Sequence, residues 1–359
     1  MRIRILYLLI ALLQLASCQA EEPEKYVPAN ARKRIKYATP EPGTYLKPNA
    51  YKVLEIINKV VEDPETVEEN LDWVYRLFTP RMKKTLDTLI TFMDTKVPIR
   101  IYYPTRESMA EDQPVTFFIH GGGFSFGSVE EYHLLVGKMA KVTGTVMISV
   151  EYRLAPEHPF PAALNDCYAV LRWLQEHAPE IGGDKNRICV MGDSAGGNIA
   201  TALTLRCRDE KIPQPSCQVL IYPGVTFVDT LFDSRVYFGL NPGRRFILDG
   251  RFLRQVKYDY MGDMTDERDP YLSPLEADLT PDLPPALIIT AECDPIRDDG
   301  RSYARELSAA GVDVEHVEYS GMIHGFMFFH MFFRDAVTAM KHIRDYHHEG
   351  LKKAPILPE

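Results

Sequence analysis

Residues 188–197, Ile-Cys-Val-Met-Gly-Asp-Ser-Ala-Gly-Gly, decide the fold of this chain. The four apolar residues at the start have the character of a buried strand, and residues 198–207 have the character of a helix. Between them, Gly192 and Gly196 stand on either side of Ser194, which is the pattern of a sharp strand-to-helix turn. The pattern therefore predicts a nucleophile elbow at Ser194.

Downstream of Val97, strand-like runs alternate with amphipathic stretches. Such alternation is typical of a mostly parallel sheet with helices on both faces, so we predict an α/β fold. The predicted strands other than 188–191 are 99–103, 115–119, 146–150, 217–222, 286–290 and 312–319. Besides 198–207, the predicted helices include 131–142, 162–175 and 301–310.

The composition of the 359-residue chain, 45% hydrophobic and 25% charged, is that of a globular protein with a large core. Residues 21–95 are predicted to form an N-terminal arm and cap helices that precede any strand, because the apolar positions in 53–61 and 71–78 recur at helical spacing. We assign the catalytic domain to residues 96–350. An insertion at about 225–270 lacks a strand pattern and is predicted to add helices to the cap.

Charge and motif spacing exclude several classes of function. The net charge is -9, and no cluster of basic residues is long enough to follow a phosphate backbone, so nucleic acid is not a predicted partner. The chain has no HExxH, no paired CxxC and no GxGxxG after a strand. We therefore predict neither a metal nor a cofactor.

The N-terminus has the order of an export signal. Arg2 and Arg4 precede the apolar run 5–13, and small residues follow. The run is short of the ~20 residues that a spanning helix needs. Since residues 15–18 also resemble a lipobox, three outcomes stay open: cleavage, lipidation of Cys18, or an uncleaved membrane anchor. With each of these three outcomes, we predict that the protein is exported to a secreted, periplasmic or lumenal location.

The cysteines outside this signal are odd in number. Cys167 and Cys189 fall in a predicted helix and a predicted strand, where they are expected to be core residues. Cys207 and Cys217 flank a loop, so a disulfide between them is conceivable and stays open.

A second glycine-rich segment, His-Gly-Gly-Gly-Phe at 120–124, follows the predicted strand 115–119. Its glycines leave backbone N–H groups accessible to a carbonyl oxygen. We predict that Gly122, Gly123 and Ala195, the residue after the nucleophile, form an oxyanion hole.

The base and its orienting acid are predicted from their loops. Among ten histidines, His324 stands in a glycine-flanked loop between the last predicted strand and the last helix. Asp294 follows the strand 286–290, whereas Asp298 and Asp299 fall at a helix start, where acidic residues favour the helix dipole. The chain order Ser194, Asp294, His324 favours these residues as a catalytic triad.

Together the motifs resemble the hormone-sensitive lipase-like branch of the α/β-hydrolase superfamily, which includes carboxylesterases, lipases and arylacetamide deacetylases. The resemblance runs from about Val97 to Tyr346. One departure is Glu151, where the family more often has aspartate. The matching segments are HGGGF at 120–124, YRLAPEHPFPAA at 152–163, GDSAGG at 192–197, DPIRDDG at 294–300 and MIHGF at 322–326.

The resemblance implies a serine carboxylesterase that hydrolyses small-molecule esters with short to medium acyl chains through an acyl-enzyme on Ser194. It also implies a helical cap over the site. Amide hydrolysis or deacetylation, lipase activity, and a non-catalytic ligand receptor remain as alternatives. The plant gibberellin receptors resemble this branch but lack the histidine, so the presence of His324 favours an enzyme. The oligomeric state stays open.

Overall fold

The computed structural model describes residues 47–50, 52–54, 80–92, 94–228, 232–235 and 248–350. The predicted export signal at 1–20, with Cys18, lies outside the described residues, as do residues 21–46 of the predicted arm and most of the predicted cap helices. Two parts of the insertion, 229–231 and 236–247, also lie outside them.

Eight strands form one sheet in the order β1-β2-β4-β3-β5-β6-β7-β8. The pairs β1–β2 and β2–β4 are antiparallel, and every other neighbouring pair is parallel. The prediction of a mostly parallel sheet is confirmed. The strands are β1 Lys84–Phe92, β2 Thr95–Tyr103, β3 Gln113–Ile119, β4 Val146–Val150, β5 Gly183–Asp193, β6 Cys217–Ile221, β7 Ala286–Cys293 and β8 Val314–Ile323.

The described helices cover both faces of the sheet, as predicted. Helices α1 and α6 pack with one apolar cluster, whereas α2, α3 and α5 pack with the other. Helix α4 belongs to the predicted insertion and adds to the second cluster. The bounds are α1 His133–Thr143, α2 Ala162–His177, α3 Ala195–Asp209, α4 Gly250–Met261, α5 Arg297–Ala309 and α6 Arg334–Gly350.

The sheet begins earlier in the chain than predicted. The expectation that only helices precede Val97 is wrong for β1, and the predicted domain boundary at residue 96 falls inside β2. Strand β1 lies at the edge of the sheet, and among its residues only Ile90 is buried. An edge strand with so few buried positions lacks the apolar alternation by which a strand is recognised in sequence.

The carboxyl ends of four parallel strands carry the predicted functional residues. His120, Ser194, Asp294 and His324 directly follow β3, β5, β7 and β8, respectively. Because these strands run in one direction, their ends meet at one edge of the sheet. The topology alone therefore gathers residues that are far apart in the chain.

Cys207 and Cys217 are not bridged. Both are buried and free. Cys207 belongs to the cluster under α2 and α3, whereas Cys217 belongs to the cluster on the opposite face of the sheet. The sheet therefore separates the two thiols. Cys167 and Cys189 are buried core residues, as predicted.

None of the helices in the described ranges combines the length and apolar character needed to cross a membrane.

Candidate active site

Ser194 stands at the turn between β5 and α3. Its backbone has φ 53° and ψ -118°, a conformation that L residues rarely adopt and that costs on the order of 1–3 kcal/mol. A Cβ on Gly192 would lie 2.2 Å from the carbonyl oxygen of Gly196, and a Cβ on Gly196 would lie 2.1 Å from that of Ile119. Both glycines are therefore required for this turn to close against β3.

Ser194, His324 and Asp294 form a continuous line of hydrogen bonds. His324 Nε2 lies 2.9 Å from Ser194 Oγ, and His324 Nδ1 lies 2.7 Å from Asp294 Oδ2. Because a carboxylate only accepts, Nδ1 carries the ring proton and Nε2 is free to accept from the serine hydroxyl. Asp294 Oδ1 accepts the backbone N–H of Ile296 at 2.9 Å, which fixes the carboxylate in turn.

Asp294 is the acid that the structure brings to the histidine, whereas its neighbours serve the insertion. Asp294 is fully buried. Asp298 and Asp299 lie in the first turn of α5. Asp298 accepts the N–H of Ser234 at 2.9 Å, and Asp299 forms an ion pair with Arg235 at 2.7 Å. The first turn of α5 thus holds a segment of the insertion.

The glycine segment forms a tight turn that leaves N–H groups available. Gly122 and Gly123 have φ of 113° and 59°, and the carbonyl of Gly122 accepts the N–H groups of Ser125 and Phe126. Among the described residues, the N–H groups of Gly122 and Gly123 have no backbone acceptor. Ala195 is the first residue of α3, where an N–H has no partner within the helix. These three groups are available to an oxyanion.

Asp193 is a site residue to which the sequence analysis assigned no role. Its carboxylate is buried, accepts the N–H of Gly121 at 2.8 Å and accepts the hydroxyl of Tyr132 at 3.2 Å. Burial raises the pKa of Asp193 to about 6, while these hydrogen bonds favour its charged form. Asp193 therefore joins the nucleophile turn to the glycine segment. The sequence feature that could have indicated this role is an acidic residue directly before the elbow serine.

His120 supports the same segment as a neutral imidazole. It is fully buried, and burial lowers its pKa to about 4. Its Nδ1 lies 2.8 Å from the carbonyl oxygen of Gly121, so Nδ1 is the donor. The ring stacks on Tyr152 with 4.2 Å between centroids, and the Tyr152 hydroxyl donates to the His120 carbonyl. The histidine of the glycine segment is thus structural.

Tyr222 is a second residue that the sequence analysis missed. It follows β6, and its ring centroid lies 4.8 Å from that of His324. Its N–H donates to the carbonyl of Ile289 at 2.6 Å, and its side chain is buried. The ring therefore restricts the imidazole on one side. No sequence pattern marked this position.

Helix α4 lies directly against the glycine segment. A Cβ on Gly123 would lie 2.7 Å from Val256 Cγ2 and 3.3 Å from the ring of Phe252. The ring of Phe124 stacks on Tyr260 with 3.7 Å between centroids. This part of the insertion therefore covers the candidate oxyanion hole with apolar side chains.

The long motif at 152–163 braces the loops around the site. Arg153 forms an ion pair with the buried Asp166 at 2.8 Å. The N–H of Ala155 donates to the carbonyl of Phe124 at 2.9 Å, which ties the motif to the glycine segment. Its contribution is structural support.

Glu151, the departure from the family pattern, also has a structural contact. Its Oε2 accepts the N–H of Val129 at 2.7 Å. The longer side chain therefore anchors the loop that follows the glycine segment.

The acidic and imidazole groups of the site are hydrogen-bonded to each other, to the backbone or to the hydroxyl groups of Ser194 and Tyr132. Over the described ranges, no group of three or more His, Cys, Asp and Glu side chains could hold a metal ion. Asp294 is occupied by His324, and Asp193 is occupied by Gly121 and Tyr132.

The comparisons with known proteins point to ester hydrolysis. A family model described as the alpha/beta hydrolase fold matches residues 116–328. Carboxylesterase NlhH of Mycobacterium tuberculosis is 41% identical over 239 residues, which are 66% of this chain and 72% of that protein. Ethyl acetate hydrolase of Pseudomonas putida is 36% identical over 232 residues, 64% of this chain and 71% of that one. An esterase of Pyrobaculum calidifontis superposes with a TM-score of 0.76 at 34% identity, covering 85% of this chain and 98% of that structure.

Proposed function

The chain belongs to the α/β-hydrolase fold family, in its hormone-sensitive lipase-like branch, and is a carboxylic ester hydrolase; we propose that it acts on short- to medium-chain esters through an acyl-enzyme on Ser194. The observation that carries the proposal is the line of hydrogen bonds from Ser194 Oγ through His324 to Asp294, 2.9 Å and 2.7 Å long. This geometry supports the proposal, because acyl transfer needs a nucleophile, a base and an acid that orients the base.

In the proposed reaction, Ser194 Oγ attacks the ester carbonyl carbon while His324 Nε2 takes the hydroxyl proton. The negative carbonyl oxygen accepts hydrogen bonds from the N–H groups of Gly122, Gly123 and Ala195. Asp294 stabilises the imidazolium. The C–O bond of the ester then breaks, and His324 gives its proton to the leaving alcohol.

A water molecule completes the cycle. His324 removes one of its protons as the water attacks the acyl carbon, and the proton passes to Ser194 Oγ when the acid leaves. The base therefore takes up a proton twice and releases it twice in each turnover. The Asp294 contact keeps its ring orientation the same in both halves.

The restriction to short and medium acyl chains rests on the insertion. The side chains of Val256 and Phe252 of α4 lie next to Gly123, where a Cβ on the glycine would touch them. Apolar side chains therefore limit the space beside the reacting carbonyl. The relative named for ethyl acetate hydrolysis supports a small substrate.

The test uses p-nitrophenyl esters of graded acyl length with purified wild type and Ser194→Ala. We expect kcat/KM to decline for long chains, and Ser194→Ala to lose about 10⁴-fold or more in kcat. Ser302→Ala, which changes a buried serine of α5 outside the triad, is the control and keeps its activity. Equal rates for wild type and Ser194→Ala would contradict the proposal.

The same panel separates the remaining reactions. A p-nitroanilide with the acyl group of the best ester tests amide hydrolysis, and an emulsified long-chain triglyceride tests lipase activity. We expect turnover of the ester to exceed both. Tight binding of an ester without turnover by the wild type would favour a receptor.

We also propose that the chain is exported, on the charged, apolar and small-residue order of residues 1–20. Mass spectrometry of the mature N-terminus tests this proposal. Loss of the segment supports cleavage, and a lipid mass on Cys18 supports membrane attachment as a lipoprotein. An intact Met1 on protein from the cytoplasm would contradict export.

A further inference from the structure

The ladder between β7 and β8 is irregular next to the catalytic base. Ala291 pairs with Tyr319, and the next pair is Cys293 with Ile323. Between these pairs β7 contributes Glu292 alone, whereas β8 contributes residues 320–322. A bulge of this kind bends its strand and leaves backbone groups without ladder partners.

Gly321 lies in the bulge, and both of its backbone groups find partners outside the ladder. Its φ is 67°, which favours glycine. Its N–H donates to Glu292 Oε2 at 2.7 Å, and its carbonyl accepts the N–H of Lys47 at 3.3 Å. Because Gly321 is buried, removal of the Glu292 acceptor would leave its N–H unpaired.

The bulge directly precedes the base. After it, β8 ends at Ile323 and His324 follows, so the conformation of residues 320–322 sets where the imidazole lies. We propose that Glu292 is a positioning residue of the triad: its carboxylate holds the bulge of β8 and thereby places His324 between Ser194 and Asp294. This proposal rests on the proposed function.

Glu292 and Asp294 stand at the end of the same strand, so one short segment controls both partners of the proton transfer. Asp294 orients the imidazole directly, and Glu292 acts through the backbone of β8. Mutual positioning matters because a shift of about 1 Å at reacting groups can cost about 100-fold in rate.

Among the described residues, no cationic side chain lies within ion-pair distance of the Glu292 carboxylate, so its contact with Gly321 is a hydrogen bond to the backbone. The nearby Arg301 hydrogen-bonds to Glu318, with Nε 2.8 Å from Oε2 and Nη2 2.5 Å from Oε1. Glu318 is therefore a partner of this arginine, which also lies 3.5 Å from Asp298 Oδ1, and it provides a matched control. Glu318→Gln removes a carboxylate from the same surface without changing the partner of Gly321.

The experiment compares Glu292→Ala, Glu292→Gln and Glu318→Gln with wild type, using the best p-nitrophenyl ester. We expect Glu292→Ala to lower kcat by about 10- to 100-fold, with KM nearly unchanged. Glu292→Gln keeps an oxygen that accepts from Gly321 and restores most of kcat. Glu318→Gln retains the wild-type kcat.

Proton NMR provides a second readout that does not depend on turnover. The His324 Nδ1 proton shared with Asp294 gives a downfield proton resonance, which should persist in wild type and Glu292→Gln and shift or vanish in Glu292→Ala. A resonance and kcat that stay at wild-type values in Glu292→Ala would overturn the proposal, as would a loss in Glu292→Gln equal to that in Glu292→Ala. Failure of the proposed function shows instead as equal rates for wild type and Ser194→Ala.

Discussion

The carboxylate of Asp193 accepts the backbone N–H of Gly121 at 2.8 Å, so the residue before the nucleophile holds the segment that would bind the oxyanion. A Cβ on Gly121 would lie 2.8 Å from both the carbonyl and a carboxylate oxygen of Asp193, which shows how closely the two turns pack. Ser194 and the proposed oxyanion donors are therefore positioned relative to each other by one buried group.

Asp193→Ala should lower kcat by about 100-fold with little change in KM, because the glycine segment loses its anchor while the substrate pocket remains. Asp193→Asn should lose less, since its amide oxygen still accepts from Gly121. Steady-state kinetics of both variants provide the measurement. Tyr132→Phe, which removes only the second hydrogen bond to Asp193, is the control. A change confined to KM would contradict this role.

The proposed acyl-chain limit should depend on Val256. Truncation to alanine removes the methyl group that faces Gly123, so we expect Val256→Ala to shift the preferred p-nitrophenyl ester toward longer chains. Tyr258→Ala changes an exposed side chain on the same helix and should leave the preference unchanged. An identical chain-length profile in wild type and Val256→Ala would show that α4 does not bound the acyl pocket.

Sequence motifs could predict Ser194, Asp294 and His324 because each motif is local. The parallel topology then brings the three residues together. The elbow requires Gly192 and Gly196 close to Ser194, and these three residues lie within one short segment of the sequence. Once the strand order is set, the ends of β5, β7 and β8 meet without further information.

Other features depend on distant packing and could not be predicted in this way. Glu292 acquires its contact from a bulge in the partner strand, which depends on the register of β7 against β8. The separation of Cys207 from Cys217 depends on which face of the sheet each residue occupies. Strand β1 lacked a pattern because the edge of the sheet buries little of it.

The ion pair between Arg235 and Asp299 should stabilise the attachment of the insertion. Asp299 is fully buried, and burial raises its pKa to about 6 even though Arg235 favours the charged form. Arg235→Met should lower the free energy of unfolding by roughly 3 kcal/mol at neutral pH, because it leaves a buried carboxylate unpaired.

Urea denaturation of Arg235→Met, Asp299→Asn and the double variant measures this coupling. The double variant should recover much of the loss, because no buried charge remains. As a control, Arg305→Met removes an exposed arginine of α5, the helix that carries Asp299, and should lower the free energy of unfolding by less than about 1 kcal/mol. Strict additivity of the two single changes would contradict the coupling.

His347 should make the protein sensitive to acid. The imidazole is fully buried on α6, where its Nε2 lies 2.9 Å from Thr116 Oγ1. Burial lowers its pKa from 6.5 to about 3. Because the folded pKa lies below the unfolded value, the stabilisation is complete above pH 6.5 and is lost as the pH falls toward 3.

His347→Gln keeps a hydrogen-bonding side chain and removes this titration. The difference in the free energy of unfolding between wild type and His347→Gln should therefore shrink by about 2 kcal/mol between pH 7 and pH 5. In this range the histidine of the unfolded chain becomes protonated, whereas the buried histidine of the folded protein stays neutral. Urea denaturation at both pH values measures the difference. His342→Gln changes a partly exposed histidine of the same helix that pairs with Glu315, and it serves as the control. A constant difference between wild type and His347→Gln would show that the buried imidazole is not held neutral.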